Sequence, residues 1–452
     1  MPASVAYGKN GGKQMNLHKT FVVLLALLLA AMAMVPMVSA AGVQNPDAAT
    51  IDELNAVSLN QSNTQLPQLQ YDKTQKKVIV NGEFKIQEST QSTQIADMIA
   101  ASAAPTVSDI PFGAIVHHSN DGITTVFDST GQQLFAAKDS QASLINTPDG
   151  VLRATEVFEI PDKSLIVDDN SVTNVFYDKQ RILTILDDSK GLQKKSASFT
   201  KQVYSPQTLS PQWIEYGETA RIPTVGQFSA RWNVPKNPIL TVNYSQNRLD
   251  GSQSTIWNGL EDTNGTYLLQ PVLEWYVKKN ASDPNPSTAN WSIATWWVSP
   301  KEYNNRGMHS TRRYGIPSTG ELILSGHQIQ GNMMHYGATW TGAITDLTLG
   351  VSSTLFLNSS QSSDLTYRNL QAYIVLEGWS TRALNPEDYN SSYIPGNVTF
   401  GNIIINDIDG YNAIPASMPG YVNSVNWSPS QYGLSVTNTS WPTSITLNTG
   451  NI

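Results

Sequence analysis

The stretch "YLLQPVLEWYV", Tyr267–Val277, is the most strand-like run in the chain, and its reading decides the fold. Side chains alternate between the two faces of a strand. Leu268, Gln270, Val272, Glu274 and Tyr276 therefore share one face, and Leu269, Leu273 and Trp275 share the other. The second face is plainly core. The first mixes apolar side chains with an amide and a carboxylate, which a strand with one solvated face does not require.

The same division recurs in "LQAYIVLEGW", Leu370–Trp379. Gln371, Tyr373, Val375, Glu377 and Trp379 fall on one face, and Ala372, Ile374 and Leu376 on the other. Around these two runs, "GQFSARWNVP", "STIWNGLED", "WSIATWWVSP", "ATWTGAITDLT" and "VTFGNIIIND" read as further short strands between Gly-, Pro- and Asn-rich turns. Short strands without a convincing helix predict an antiparallel two-sheet sandwich of the jelly-roll kind over 226–452. The mixed faces belong in its concave groove, where such an architecture places ligands.

Upstream, "NDG", "STG" and "PDG" punctuate β-branched runs between 106 and 195, which predicts a small β-rich unit. Residues 196–225 read as a connector and 41–105 as a polar linker. "MNLHKTFVVLLALLLAAMAMVPMVSAAG" reads as a signal peptide ending near residue 40, with Met15 the expected start. An uncleaved N-terminal anchor is the other reading of that apolar run. The expected location is extracellular, with no stable membrane insertion of the mature chain.

The net charge is −8, and removing residues 1–40 takes away Lys9, Lys13 and Lys19 and no acid, which makes it −11. Phosphate backbones repel such a chain, so no nucleic-acid partner is expected. There is no cysteine, which removes disulfides, thiol nucleophiles, zinc-thiolate sites and iron–sulfur clusters together. Neither a cofactor nor a metal is expected: His117 and His118 point to opposite faces, and "NDIDG" (Asn406–Gly410) reads first as a polar turn. N-x-S/T sequons, among them Asn243, Asn290 and Asn397, permit glycosylation at the surface.

A Gln and a Glu facing one another suit hydrolysis. The carboxylate can take a proton from water, and the amide N–H can hold the oxyanion. The plainer reading makes both ordinary strand residues at an edge. "FSARWNVP", "IWNGLED", "LLQPVLEWY", "WSIATWW", "SGHQIQG", "AYIVLEG" and "VTFGNI" occur in an order that resembles the glutamic peptidase (eqolisin) family and its broad set of uncharacterised secreted relatives. The resemblance spans about 226–410 and implies a concanavalin-like sandwich. Carried over, it places the family's oxyanion-stabilising Gln on Gln270 and its water-activating Glu on Glu377. It also implies a propeptide, a part that 41–220 can play. Three departures bear on catalysis and on an acid-pH preference. "TWWVSP" has no carboxylate within the aromatic strand, Gly326-His327 replaces Gly-Asp, and Pro271 follows Gln270.

The expected substrate is a peptide or protein lying in a groove lined by Glu274, Tyr373, Trp275, Trp297 and Trp379. The alternative is a non-catalytic extracellular sandwich that binds surface glycans on exposed tryptophans, or a cell-surface and adhesion module.

Overall fold

The computed structural model describes three short strands within 69–87, most of 112–187, then 213–238, 250–262, 267–277, 289–300, 305–358, 365, 367–378, 395–411, 413, 421–425, 435–440 and 444–449. The signal peptide, nearly all of the linker, connector residues 196–212 and Trp379 lie outside the described residues. Met1–Gln44 separates as one unit, and Asn45–Ile452 forms the other.

Two large sheets make the second unit, as an all-β sandwich should. The 11-stranded sheet runs in the order Tyr421–Val425, Trp213–Thr219, Arg368–Gly378, Asp250–Glu261, Leu268–Val277, Ala289–Pro300, Asn305–Ser310, Val157–Ile160, with three short strands off this path. The 13-stranded sheet has at its centre Val398–Asn406, Gln227–Asn233, Gln328–Tyr336, Thr339–Asp346 and Val351–Asn358.

Between them lies the main core. One sheet contributes Phe228, Trp232, Ile329 and Met333, and the other Ile256, Leu269, Leu273, Trp297, Ile374 and Leu376. Parity along each strand selects these residues. Close approach is required at Gly331, where an added Cβ would stand 1.9 Å from Asn258 Oδ1 across the sandwich. Thr295 Oγ1 donates to the Ser353 carbonyl at 2.7 Å, a polar stitch within the core.

Among the described residues the pairings within 226–452 are antiparallel, but the strands from 106–195 enter the same two sheets and partly in parallel. Ser164–Asp169 runs parallel to Val351–Asn358, and Val157–Ile160 runs parallel to Asn305–Ser310. Each covers what would otherwise be an open sheet edge with unpaired backbone groups. Nothing in the local pattern of 106–195 announces this, because strand pairing over such a sequence distance is not a local property.

One core residue opposes folding. Glu215 is fully buried in register with Leu376, and neither carboxylate oxygen has a hydrogen-bond partner among the described residues. Burial pushes it up to about 8, with the Ser435 backbone N–H pulling the other way by less. A carboxyl whose folded value is raised stabilises only while protonated. The folded state therefore loses stability as pH rises from the ordinary carboxylate range through about 8. Glu215→Gln is expected to remove this residue's share of that fall, on the order of 3–5 kcal/mol between pH 4.5 and pH 8, and so to flatten the dependence. Urea midpoints of both proteins at the two pH values check this; parallel pH dependences refute it.

Candidate active site

The outer face of the 11-stranded sheet, turned away from the main core, carries the candidate residues. Three rows can be read across it. In the first, Glu377 pairs with Thr255, and Thr255 pairs with Glu274, whose other neighbour is Ser292. In the second, Val375, Trp257, Val272 and Ala294 stand abreast. In the third, Tyr373 pairs with Gly259, and Gln270 pairs with Trp296; the register of the two central strands puts Gly259 beside Gln270.

Gln270 and Glu377 thus share a face, separated by one strand and by four residues along it. With strands about 4.8 Å apart and a rise of about 3.3 Å per residue, their Cα atoms are roughly 16 Å apart. Trp257 lies between them. Its indole Nε1 donates to Glu377 Oε2 at 3.0 Å, while the far edge of its ring covers Gly259, where an added Cβ would meet Cζ3 at 2.8 Å. Gly259 has no side chain because this ring takes its place.

Glu377 is fully buried, and its Oε2 also accepts from Thr255 Oγ1 at 2.6 Å. Gln270 is fully buried too, and neither its Nε2 nor its Oε1 has a hydrogen-bond partner among the described residues. A buried amide in this condition costs free energy of order 1–3 kcal/mol or more. Sequence reasoning placed it on the right face but could not see that it is unsatisfied.

Glu274 is surrounded by donors. Its Oε1 accepts from Trp296 Nε1 at 2.6 Å, and its Oε2 from Arg312 Nε at 2.6 Å and Ser292 Oγ at 3.3 Å. The Arg312 guanidinium lies 5.6 Å from the Trp296 ring centroid and reaches Glu159 Oε2 at 3.4 Å and His309 Nε2 at 3.2 Å. Burial, and then the Arg312 charge, hold His309 well below the usual imidazole range. The ring is therefore neutral, with Nδ1–H donating to the Ser310 carbonyl at 3.0 Å and Nε2 accepting from Arg312. Its 3.9 Å approach to Glu159 is accordingly not an ion pair.

At the far end of the face Tyr373 Oη donates to Glu261 Oε2 at 2.8 Å, and Gln371 Nε2 donates to Glu218 Oε2 at 3.0 Å. Burial pushes Glu261 up to about 7, with Asp262 and Glu218 adding repulsion and the Tyr373 hydroxyl and Arg221 opposing it.

The groove expectation is corrected in two respects. Trp275 and Trp297 are on the opposite face, buried in the core between the sheets. Trp275 is out of phase with Gln270 and Glu274, and Trp297 pairs with Leu269. Nor is the face an open groove. Leu152 and Val157, from the β-rich stretch upstream, pack with Trp257, Leu268, Val272, Trp296, Tyr373 and Val375 into a second apolar cluster. Tyr373 sits within that cluster and is buried. The turn reading of "NDIDG" agrees with Asp407 Oδ1 accepting from the backbone N–H groups of Asp409 and Tyr411.

Thr255, Trp257, Trp296, Ser292 and Glu261 were within reach of the same alternation argument. Arg312, which follows its strand, and Glu159, which comes from another part of the chain, carried no local signal.

No family model and no curated protein matches the chain. Among solved structures, scytalido-glutamic peptidase with a transition-state analogue inhibitor aligns at 16% identity over 53% of this chain and 98% of that one, TM-score 0.34. SCP-B, an eqolisin in complex with the tripeptide Ala-Ile-His, aligns at 18% identity over 53% and 98%, TM-score 0.31. The alginate lyase from Klebsiella pneumoniae aligns at 10% over 35% and 62%, TM-score 0.21. These are distant likenesses, and they assign no activity.

Proposed function

We propose that the protein hydrolyses peptide bonds outside the cell, with Gln270 as oxyanion donor and Glu377 as the water-activating carboxylate. The observation that carries this reading is the buried Gln270 amide, which has no hydrogen-bond partner among the described residues and shares its face with Glu377. A structural amide would be satisfied. One kept for a developing oxyanion is left waiting, at a cost in stability. In the proposed reaction Glu377 takes a proton from water, and the water oxygen adds to the carbonyl carbon. The Gln270 amide N–H donates to the resulting oxyanion, a step that requires the Trp257 ring to swing from between the two residues, whose Cα atoms stand roughly 16 Å apart. Glu377 then gives its proton to the departing nitrogen as the C–N bond breaks.

Thr255 and Trp257 position Glu377 by donating to one of its oxygens. Substrate reaches the face only after the Leu152–Val157 segment yields. The glycan alternative finds less support, since Trp275 and Trp297 are core residues.

The full chain, incubated with a denatured protein from pH 3 to 9, is expected to release peptides. Glu377→Gln should slow release by about 10²–10⁴-fold. Equal rates in the variant, or no release by the unaltered chain at any pH, sink the proposal.

A further inference from the structure

Between Val157–Ile160 and Ser164–Asp169 the chain passes from one large sheet to the other within three residues, Pro161, Asp162 and Lys163. The first strand lies beside Asn305–Ser310 and the second beside Val351–Asn358, so one short crossover ties both sheets. Asp162 stands in the crossover and bonds in both directions. Its Oδ1 accepts from the Thr354 backbone N–H at 2.7 Å, and its Oδ2 pairs with Arg313 Nη2 at 3.3 Å. On either side of it, the Lys163 N–H donates to the Thr354 carbonyl at 2.9 Å and the Thr311 N–H to the Ile160 carbonyl at 2.8 Å. Lys163 takes a φ of 67°, a left-handed turn that a residue other than glycine keeps only where its surroundings hold it.

We infer that the upstream strands within 112–187 are a permanent half of this protein, bound to the sandwich that begins at Trp213 whether or not a covalent link joins the two. The surface between them is a shared core, not a contact between two finished domains. Phe158 stands beside Met308 and Ile166 beside Leu357, and all four belong to the main core together with Ile160, Val175 and Ile185. Release would bare these side chains and their partners to water at once. It would also leave Asn305–Ser310 and Val351–Asn358 without a backbone partner on one side. The upstream half serves the candidate site as well. Glu159 reaches Arg312, the cation of Glu274, and Leu152 and Val157 belong to the apolar cluster around Trp257 and Trp296. A removable propeptide, the part that the eqolisin resemblance offers to 41–220, would take all of these with it. A cut between the halves therefore yields a two-chain protein that stays assembled. None of this depends on peptide hydrolysis by the chain.

The test places a site-specific protease sequence within 196–212 of the full chain and cuts it in native buffer. All 11 tryptophans follow residue 212, so tryptophan fluorescence reports the downstream half alone, and the upstream half is followed by its mass. The two pieces are expected to co-elute from a sizing column, also after prolonged dilution. The urea midpoint read by fluorescence should be independent of protein concentration before the cut and rise with concentration after it, as for two chains that fold as one. Asp162→Ala should weaken the association of the cut pieces by about tenfold or more. Asp162→Asn, which keeps an acceptor for the Thr354 N–H, should weaken it less. Pieces that separate on cutting, whether or not the downstream tryptophans keep their folded emission, overturn the inference. So does a midpoint that stays independent of concentration after the cut, which marks two halves folding separately.

Discussion

Arg312→Ala is expected to destabilise the fold by about 3–5 kcal/mol, the cost of leaving a buried carboxylate without its counter-charge. Glu274 is fully buried, and Arg312 Nε at 2.6 Å is its cation. Trp296 Nε1 and Ser292 Oγ would remain as neutral donors, which satisfy lone pairs but do not balance the charge. Arg312→Lys should recover only part of the loss, since a point charge cannot serve Glu274, His309 and Glu159 together. The internal control is Glu159→Gln. Glu159 is 36% exposed and its contact is 3.4 Å, so solvent screens it, and the change should cost less than about 1 kcal/mol. Urea unfolding at pH 7 gives all three values. A small loss for Arg312→Ala, or a similar loss for Glu159→Gln, would show that the bridge to Glu274 is not what holds this end of the sheet.

Gln270→Met should have opposite effects on stability and on chemistry. Methionine fills a similar volume and needs no hydrogen bond. The buried amide, unsatisfied as it stands, costs about 1–3 kcal/mol, so the variant should unfold at higher urea by a corresponding amount. Peptide release should meanwhile fall by about 10²–10³-fold, the usual loss for a single oxyanion donor. Gain in stability with loss of turnover marks a residue retained for function at the expense of the fold. A variant that is less stable and equally active would reduce Gln270 to packing. A variant that is less stable and inactive would leave the catalytic assignment to the Glu377→Gln measurement, read together with that variant's own urea midpoint, since Glu377 is buried and accepts from Thr255 and Trp257.

Much of the site could be read from the chain. Strand alternation placed Gln270, Glu274, Tyr373 and Glu377 on one kind of face, and all four are found together on one sheet. The same rule, applied strictly, would have moved Trp275 to the core, where it is found. What alternation could not supply was rank. Glu274 looked like a spare charge on a groove wall, yet Arg312 and Trp296 anchor it more firmly than Glu377 is anchored. Glu377, given the reactive part by resemblance, is held by two neutral donors on the strand beside it.

Parity of the side chains is a property of the strand and is written in the residues themselves. It determined an all-β sandwich, a buried core face, and a second face where polar groups are mixed with aromatics. Register and covering are properties of pairing between distant segments. Only the folded chain decided that the Trp257 ring lies between Gln270 and Glu377, that Leu152 and Val157 pack into the apolar cluster on this face, and that Glu261 is the acid diagonal to Gln270. The physical reason is that a strand dictates which way each side chain points. Which strand lies beside it, and shifted by how much, depends on the whole molecule.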